Sequence, residues 1–438
     1  MSVAPASMPA DLPSSDLRKN EPRSAVEMWK RRVAKQPAAP AFRHFVDGSW
    51  KTVSYAEADT AAQEIAAGLV ATGVVPGDRV CLVAQTRLEW ALCDVGILLA
   101  GGVTVPIYSS NTAEQCEFII RDAGAKLVIV EDAVQRDKVL PLRDRLFTVT
   151  GIVQIADEAP ASDFVRSLAA LRQSGRTWLE AQKGAAALDA HAETVGPESM
   201  FTIVYTSGTT GTPKGVVLTH ENLTSSVCSA VRAMGVNAGD EQYLFLPLAH
   251  ILARQTIWVG FEAGYVTTFS RGTNQIKEDL VAVRPTFMAG VPRIFEKFYA
   301  GVTAALAQGS GLKRRLADWA LRSGRAHAAA QRAGQRPGGV GHWLADKLVL
   351  SKLRARLGLD RASFLISGGA PLAAEIAEFF LGAGVLILEG YGLTETVAAA
   401  FLNTRERFRF GTVGPALDVV ECKIADDGEI LMRGPSVF

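Results

Sequence analysis

The sequence predicts an α/β protein built on two doubly wound, mostly parallel sheets flanked by helices. Three observations predict it. At 438 residues with 48% hydrophobic content, the chain can bury a large core and is long enough for two or three domains or subdomains. From Ser24 onward, short apolar runs alternate with amphipathic stretches, the β-α-β-α rhythm of a parallel sheet with helices on both faces. That rhythm occurs twice, once over residues 80–131 and again from residue 200.

Taken in order, residues 1–24 are rich in Pro, Ala, Ser and charge and lack the apolar segment of a signal peptide. They read as a disordered tail before a folded unit of residues 25–438. Residues 80–84 read as a strand, 89–99 as a helix, 103–107 as a strand, 113–123 as a helix and 126–131 as a strand. The second set of strands is 200–205, 243–246, 265–269, 286–289, 364–366 and 385–388, with helical patterns between most of them. Between 304 and 359 the rhythm breaks into a helical insertion, interrupted around 336–341. There Lys313, Arg314, Arg315, Arg322, Arg325, Arg332, Arg336, Lys347, Lys352, Arg354 and Arg356 face only Asp318 and Asp346. Two readings are open: a solvated insertion, or a contact surface for an anionic membrane or CoA phosphate, with Trp319 and Trp343 at the interface.

Composition narrows the function classes. Lys plus Arg total 46 against 45 Asp plus Glu, so the net charge gives no reason to expect nucleic acid. Cys81, Cys93, Cys116, Cys228 and Cys422 are scattered, odd in number and free of C-x-x-C spacing, which fits a reduced cytosolic protein. No apolar run approaches the roughly 18 residues of a membrane-spanning helix.

Ligands in doubly wound folds bind beyond the carboxyl ends of strands, so the chemistry is to be sought in the loops that follow them. The most informative is Tyr205-Thr206-Ser207-Gly208-Thr209-Thr210-Gly211-Thr212-Pro213-Lys214-Gly215, set between two apolar runs. Its glycines let backbone amides approach an anion, its five hydroxyls donate to phosphate oxygens, and Lys214 adds a mobile positive charge. It is not a Walker loop, in which Ser or Thr follows Gly-Lys directly.

This segment resembles the phosphate-binding signature of the adenylate-forming superfamily of acyl-CoA synthetases, luciferases and peptide-synthetase adenylation domains. Partner motifs follow in the family's order. Ser367-Gly368-Gly369-Ala370-Pro371-Leu372 resembles the adenine-pocket loop and opens a helix near Ala373. Glu389-Gly390-Tyr391-Gly392-Leu393-Thr394-Glu395-Thr396 resembles the segment in which the tyrosine stacks on adenine, the threonine meets the α-phosphate and the glutamate coordinates magnesium. The resemblance implies ATP and Mg²⁺, with CoA as second substrate. It assigns Thr206, Ser207, Gly208, Thr209, Thr210, Gly211 and Lys214 to the phosphates and Gly369, Ala370, Pro371, Glu389, Gly390, Tyr391, Gly392 and Thr394 to the nucleotide. Glu395 is implied as the magnesium ligand, with Thr206 as the second. Residues 411–415 and 428–435 resemble the segments that begin a small distorted β-barrel.

Leu246-Pro247-Leu248-Ala249-His250 stands where amino-acid-activating relatives carry a Phe-Asp pair, and it has no acid to pair with an ammonium group. His250 matches the histidine beside the acyl entrance of long-chain acyl-CoA synthetases. Gly290-Val291-Pro292-Arg293-Ile294-Phe295-Glu296-Lys297 and the basic insertion resemble the bacterial long-chain branch. Lys214, Glu395, His250 and Thr394 are thus the expected catalytic residues for activating a fatty acid as acyl-adenylate and then acyl-CoA. Phe245, Trp258, Phe261 and Phe269 are candidates to line a tunnel for the acyl chain, each of them read first as ordinary core. The resemblance also implies a C-terminal mobile domain beyond Phe438, so that this chain holds nucleotide and acyl-adenylate but turns over little. The alternatives are a fatty acyl-AMP ligase serving a carrier protein, an aryl- or short-chain acid ligase, and a non-catalytic membrane-associated lipid-binding protein.

Overall fold

The computed structural model describes residues 18–156, 162–182, 186–206, 213–308, 311–332 and 339–438. In chain order the strands are β1 (Pro40–Val46), β2 (Ser49–Ser54), β3 (Arg79–Val83), β4 (Val103–Ile107), β5 (Leu127–Val130), β6 (Ile152–Gln154), β7 (Val165–Ser167), β8 (Met200–Thr206), β9 (Lys214–Thr219), β10 (Glu241–Leu244), β11 (Val266–Phe269), β12 (Ala289–Gly290), β13 (Leu365–Ser367), β14 (Ile387–Tyr391), β15 (Phe401–Leu402), β16 (Glu421–Ile424) and β17 (Ile430–Arg433). The first sheet runs β7-β6-β5-β3-β4-β8-β9 and is parallel except at the β8–β9 hairpin. The second consists of two four-stranded halves, β2-β1-β11-β10 and β12-β13-β14-β15, joined where Gln242 bridges Phe287.

The α/β class with helix-flanked parallel sheets agrees with the sequence reading. β4 spans the expected residues, and β3, β5, β8 and β13 fall within one residue of them. Sheet membership differs. The sequence starts the second sheet at residue 200, yet β8 and β9 complete the first, and the hairpin β1–β2 opens the second. A strand's apolar pattern reports that its faces are buried and leaves open which edge receives it. Here the free edge of β4 receives β8, and the Thr202 hydroxyl donates to the Thr104 carbonyl at 2.6 Å. β16 and β17 pair only with each other among the described residues, so the expected barrel segment is a hairpin.

Side chains alternate across the first sheet as the strand period requires. Val80 and Leu82 of β3 enter one apolar cluster, while Cys81 and Val83 enter a smaller one on the other face with Ile119 and Ile120. The larger cluster continues through the helices Tyr55–Ala71, Leu88–Leu99, His220–Met234 and Ile251–Ala263 into the second sheet. Both sheets therefore share one core.

Of the expected tail, residues 1–17 lie outside the described residues. Residues 18–24 are held against the helix His220–Met234, where Arg18 donates to Glu221 at 2.8 Å and Arg232 pairs with Glu21 at 2.9 Å. Ser24 caps the helix Ala25–Lys35, its side chain accepting from the Glu27 N–H. The insertion is helical as expected, over Gly311–Arg332, Val340–Ala345, a π turn Asp346–Leu350 and Ser351–Leu357. Arg336 and residues 309–310 fall outside the described residues.

Candidate active site

Three strand ends converge on one recess. β8 delivers Thr206, which faces Lys214 across the β8–β9 register. A phosphate loop hung on that pair would begin and end at two neighbouring backbones. Ser207, Gly208, Thr209, Thr210 and Gly211 lie outside the described residues. β13 delivers Gly368 and Gly369, the latter at φ +84°, ahead of the helix Ala374–Gly382. β14 delivers Gly390 and Tyr391, and a 3-10 turn, Thr394–Thr396, carries Thr394 and Glu395.

The turn after Tyr391 is tightly built. A Cβ on Gly392 would lie 1.3 Å from the Ala398 carbonyl oxygen, so only glycine lets the chain fold back there. Val397 and Ala398 hold left-handed backbone, at φ 52° and 70°, a conformation that a β-branched residue adopts only under constraint. The constraint is visible: Ala398 N–H donates to the Leu393 carbonyl at 3.0 Å, and Ser226 Oγ donates to that of Val397 at 3.1 Å.

Thr206, Gly368, Gly369, Gly390–Gly392, Thr394 and Glu395 line a cavity of about 450 Å³ together with His250 and an apolar wall. Leu252, Gln255, Thr256 and Val259 stand on one face of the helix Ile251–Ala263, at the i, i+3, i+4, i+7 spacing of adjacent turns. Ala230 and Met234 face them from the helix His220–Met234, with Val291, Ile366 and Leu402 closing the recess. A cavity of about 320 Å³ adjoins it and shares Tyr108, Thr206, His250, Ile251 and Thr394.

His250 caps the helix Ile251–Ala263, and its Nδ1 accepts the Leu252 N–H at 3.1 Å. Desolvation lowers its pKa, so the ring is neutral near pH 7 with its proton on Nε2. Glu395 is the only acidic residue lining the 450 Å³ cavity among the described residues, and its carboxylate has no hydrogen bond or ion pair among them. One uncommitted carboxylate beside a threonine hydroxyl fits a cation that takes its remaining oxygens from phosphate and water.

The structure thus brings together Thr206, His250, Gly369, Gly390, Tyr391, Gly392, Thr394 and Glu395. Ala370 and Pro371 are exposed beyond the rim, and Lys214 is exposed on the hairpin. The Glu389 carboxylate accepts the backbone N–H groups of Leu372 and Gly411, both at 3.2 Å, and so ties the two loops together.

None of the four candidate aromatics lines this recess. Trp258 and Phe261 are core residues, packed at 5.0 Å between ring centroids, and Phe245 and Phe269 line a neighbouring cavity of about 540 Å³. The recess is walled instead by the smaller residues of a helix face. The spacing of Leu252, Gln255, Thr256 and Val259 from His250 is the signal that could have found it. Tyr108, at the end of β4, carries no such signal.

The chain matches the family model described as AMP-binding enzyme over residues 29–438. It is 35% identical over 402 residues to the long-chain-fatty-acid–CoA ligase FadD15 of Mycobacterium tuberculosis, covering 91% of this chain and 65% of that protein. It is 31% identical over 446 residues to the long-chain-fatty-acid–CoA ligase ACSBG2 of Xenopus laevis, covering 98% and 59% respectively. The chain spans less than two thirds of the length of these relatives. Among solved structures, the N-terminal domain of FACL13 from Mycobacterium tuberculosis matches with a TM-score of 0.68 and 22% identity, covering 94% of this chain and 90% of that one. At that identity the match speaks for the fold.

Proposed function

The chain belongs to the AMP-binding enzyme family, and on that premise we propose that it activates a long-chain fatty acid with ATP and delivers the acyl group to CoA. The observation that carries this reading is the single cavity in which Tyr391, Thr394, Glu395 and Thr206 meet an apolar, helix-walled recess at His250. A carboxylate is a weak nucleophile and ATP a polyanion, so the two react only where phosphate charge is neutralised as it builds. The hydroxyls of Thr206 and Thr394 donate to phosphate oxygens, and Lys214, across the hairpin from Thr206, supplies positive charge. Gly368 and Gly369 leave room for the adenine to lie against backbone, with Tyr391 against its face. Mg²⁺, when bound, draws charge from the departing pyrophosphate, and Glu395 with Thr206 would hold it. His250 Nε2–H orients the incoming carboxylate, while Met234, Val259 and Ile366 keep water from the acyl chain. The segment Leu246–His250 carries no acidic residue where amino-acid-activating relatives pair the substrate ammonium, so an amino acid would lack that partner here. The names of the curated relatives support the fatty substrate and the CoA acceptor. The free, mostly buried cysteines suit a reducing cytoplasm.

Pyrophosphate exchange with fatty acids of graded length tests this reading. Long-chain acids are expected to support exchange, and Lys214→Ala and Glu395→Ala each to slow it by roughly a hundredfold or more. Unchanged rates would remove both role assignments, and exchange restricted to short, aryl or amino acids would overturn the substrate. Transfer to a carrier protein without CoA dependence would move the acceptor.

A further inference from the structure

The segment from Val340 to Leu357 is apolar on two sides, and among the described residues only one of them is covered. Its inner side packs Ala345, Val349 and Leu350 onto Trp319, Ala320 and Leu321 of the helix Gly311–Arg332. His342 stacks on His327 of that helix, the ring centroids 3.7 Å apart. Its outer side carries Val340, Trp343, Leu344 and Leu348, at the i, i+3, i+4, i+8 spacing of a single helical face. These side chains are 76%, 57%, 37% and 46% exposed. A helix on a soluble surface ordinarily turns such a stripe inward and leaves its polar residues in water. A contiguous exposed apolar face marks an interaction surface.

Charge identifies what the face fits. Lys347 lies 4.9 Å over the Trp343 ring, and Lys352 and Arg356 extend the line of Leu348 at successive four-residue steps, both exposed. None of these three cations has an ion-pair partner among the described residues: the acids flanking them in sequence are taken, Asp346 by Arg354 at 2.8 Å and Asp360 by Arg284. Exposed Arg314 and Arg315 stand on the neighbouring helix next to Leu312 and Leu316, themselves 80% and 41% exposed. An apolar stripe bearing tryptophan and rimmed by unpaired cations is the chemistry of a surface that lies in the headgroup region of an anionic bilayer. Indole prefers the boundary between hydrocarbon and water, and the long Lys and Arg stems let their charges rise to the phosphates.

We propose that the outer face of Val340–Leu357 docks this protein on anionic lipid surfaces, with Trp343, Leu344 and Leu348 entering the headgroup layer and Lys347, Lys352 and Arg356 meeting lipid phosphates. The proposal stands apart from the ligase reading, because its test needs no turnover. Flotation of the full chain with vesicles of phosphatidylcholine alone, and of phosphatidylcholine with 30% phosphatidylglycerol, measures it directly. Strong binding is expected only to the anionic vesicles, falling when salt is raised to screen the surface. Trp343→Ser with Leu348→Ser, at exposed positions, is expected to abolish flotation with the melting temperature unchanged. Lys352→Glu with Arg356→Glu is expected to weaken it by roughly tenfold or more. Absence of flotation, or flotation that survives both pairs of substitutions, would overturn the proposal. So would a concentration-dependent dimer that Trp343→Ser dissolves, which would assign the face to a second copy of the chain.

Discussion

At His220 the ring is buried, and its Nδ1 accepts the Ala25 N–H at 3.1 Å, pinning the first described helix to the helix His220–Met234. Burial and the nearby Arg254 charge lower its pKa to about 3. The native state thus holds this imidazole neutral, while the unfolded chain protonates it near pH 6.5. Its contribution is fully present above pH 6.5 and is lost as pH falls toward 3, by about 3 kcal/mol at pH 4. Urea unfolding of wild type and His220→Asn at pH 7 and pH 4 checks this, since the asparagine oxygen can accept the same bond without titrating. The wild type is expected to lose more stability than the variant over that interval, and equal losses would refute the linkage. His250 is shifted in the same direction, yet its ring faces a cavity and not the core. One residue type thus serves packing at one site and lines a cavity at the other.

Among the elements, the reverse turn after β14 is the most specified. Gly392, the left-handed Val397 and Ala398, and the bond from Ser226 together set where Thr394 and Glu395 stand. Gly392→Ala would drive a methyl group into a carbonyl oxygen and is expected to cost about 1–3 kcal/mol, the usual penalty for overpacking. Because the displaced backbone carries Glu395, pyrophosphate exchange is expected to fall further than the loss of folded protein explains. Measuring both on one preparation separates the two effects; exchange that tracks only the folded fraction would show that the turn does not set the site. The motif Gly390-Tyr391-Gly392 was legible in the sequence as a segment following a strand, by its resemblance to the family's nucleotide-binding segment, whereas β14 runs on to Tyr391. The strain at Val397 was not legible, because one of the bonds that hold it comes from Ser226, 171 residues away.

Across the whole molecule, the two sheets are joined by an ion pair with almost no access to water. Arg254 donates to Asp94 through Nε at 2.9 Å and Nη2 at 2.6 Å, and Thr104 Oγ1 donates to the same carboxylate at 2.8 Å. The guanidinium also lies 3.9 Å from the Phe201 ring centroid. Asp94 belongs to a helix of the first sheet, and Arg254 sits one turn beyond His250 at the recess. Asp94→Ala would strand a buried cation and is expected to destabilise the protein by about 3–5 kcal/mol in denaturant unfolding. Replacing both partners with apolar residues is expected to cost less than that single change, and a larger loss in the double variant would contradict this account. The positions of β3, β4, β5, β8 and β13 and the glycine-rich strand ends were set by the sequence itself, because apolar periodicity and glycine placement are local properties. Tertiary structure alone decided that β8 joins the first sheet, that β1 and β2 join the second, and that small helix-face residues wall the recess. Each of those outcomes depends on which surfaces remain free once the rest of the chain has packed, and local patterning does not record which partner will cover a surface.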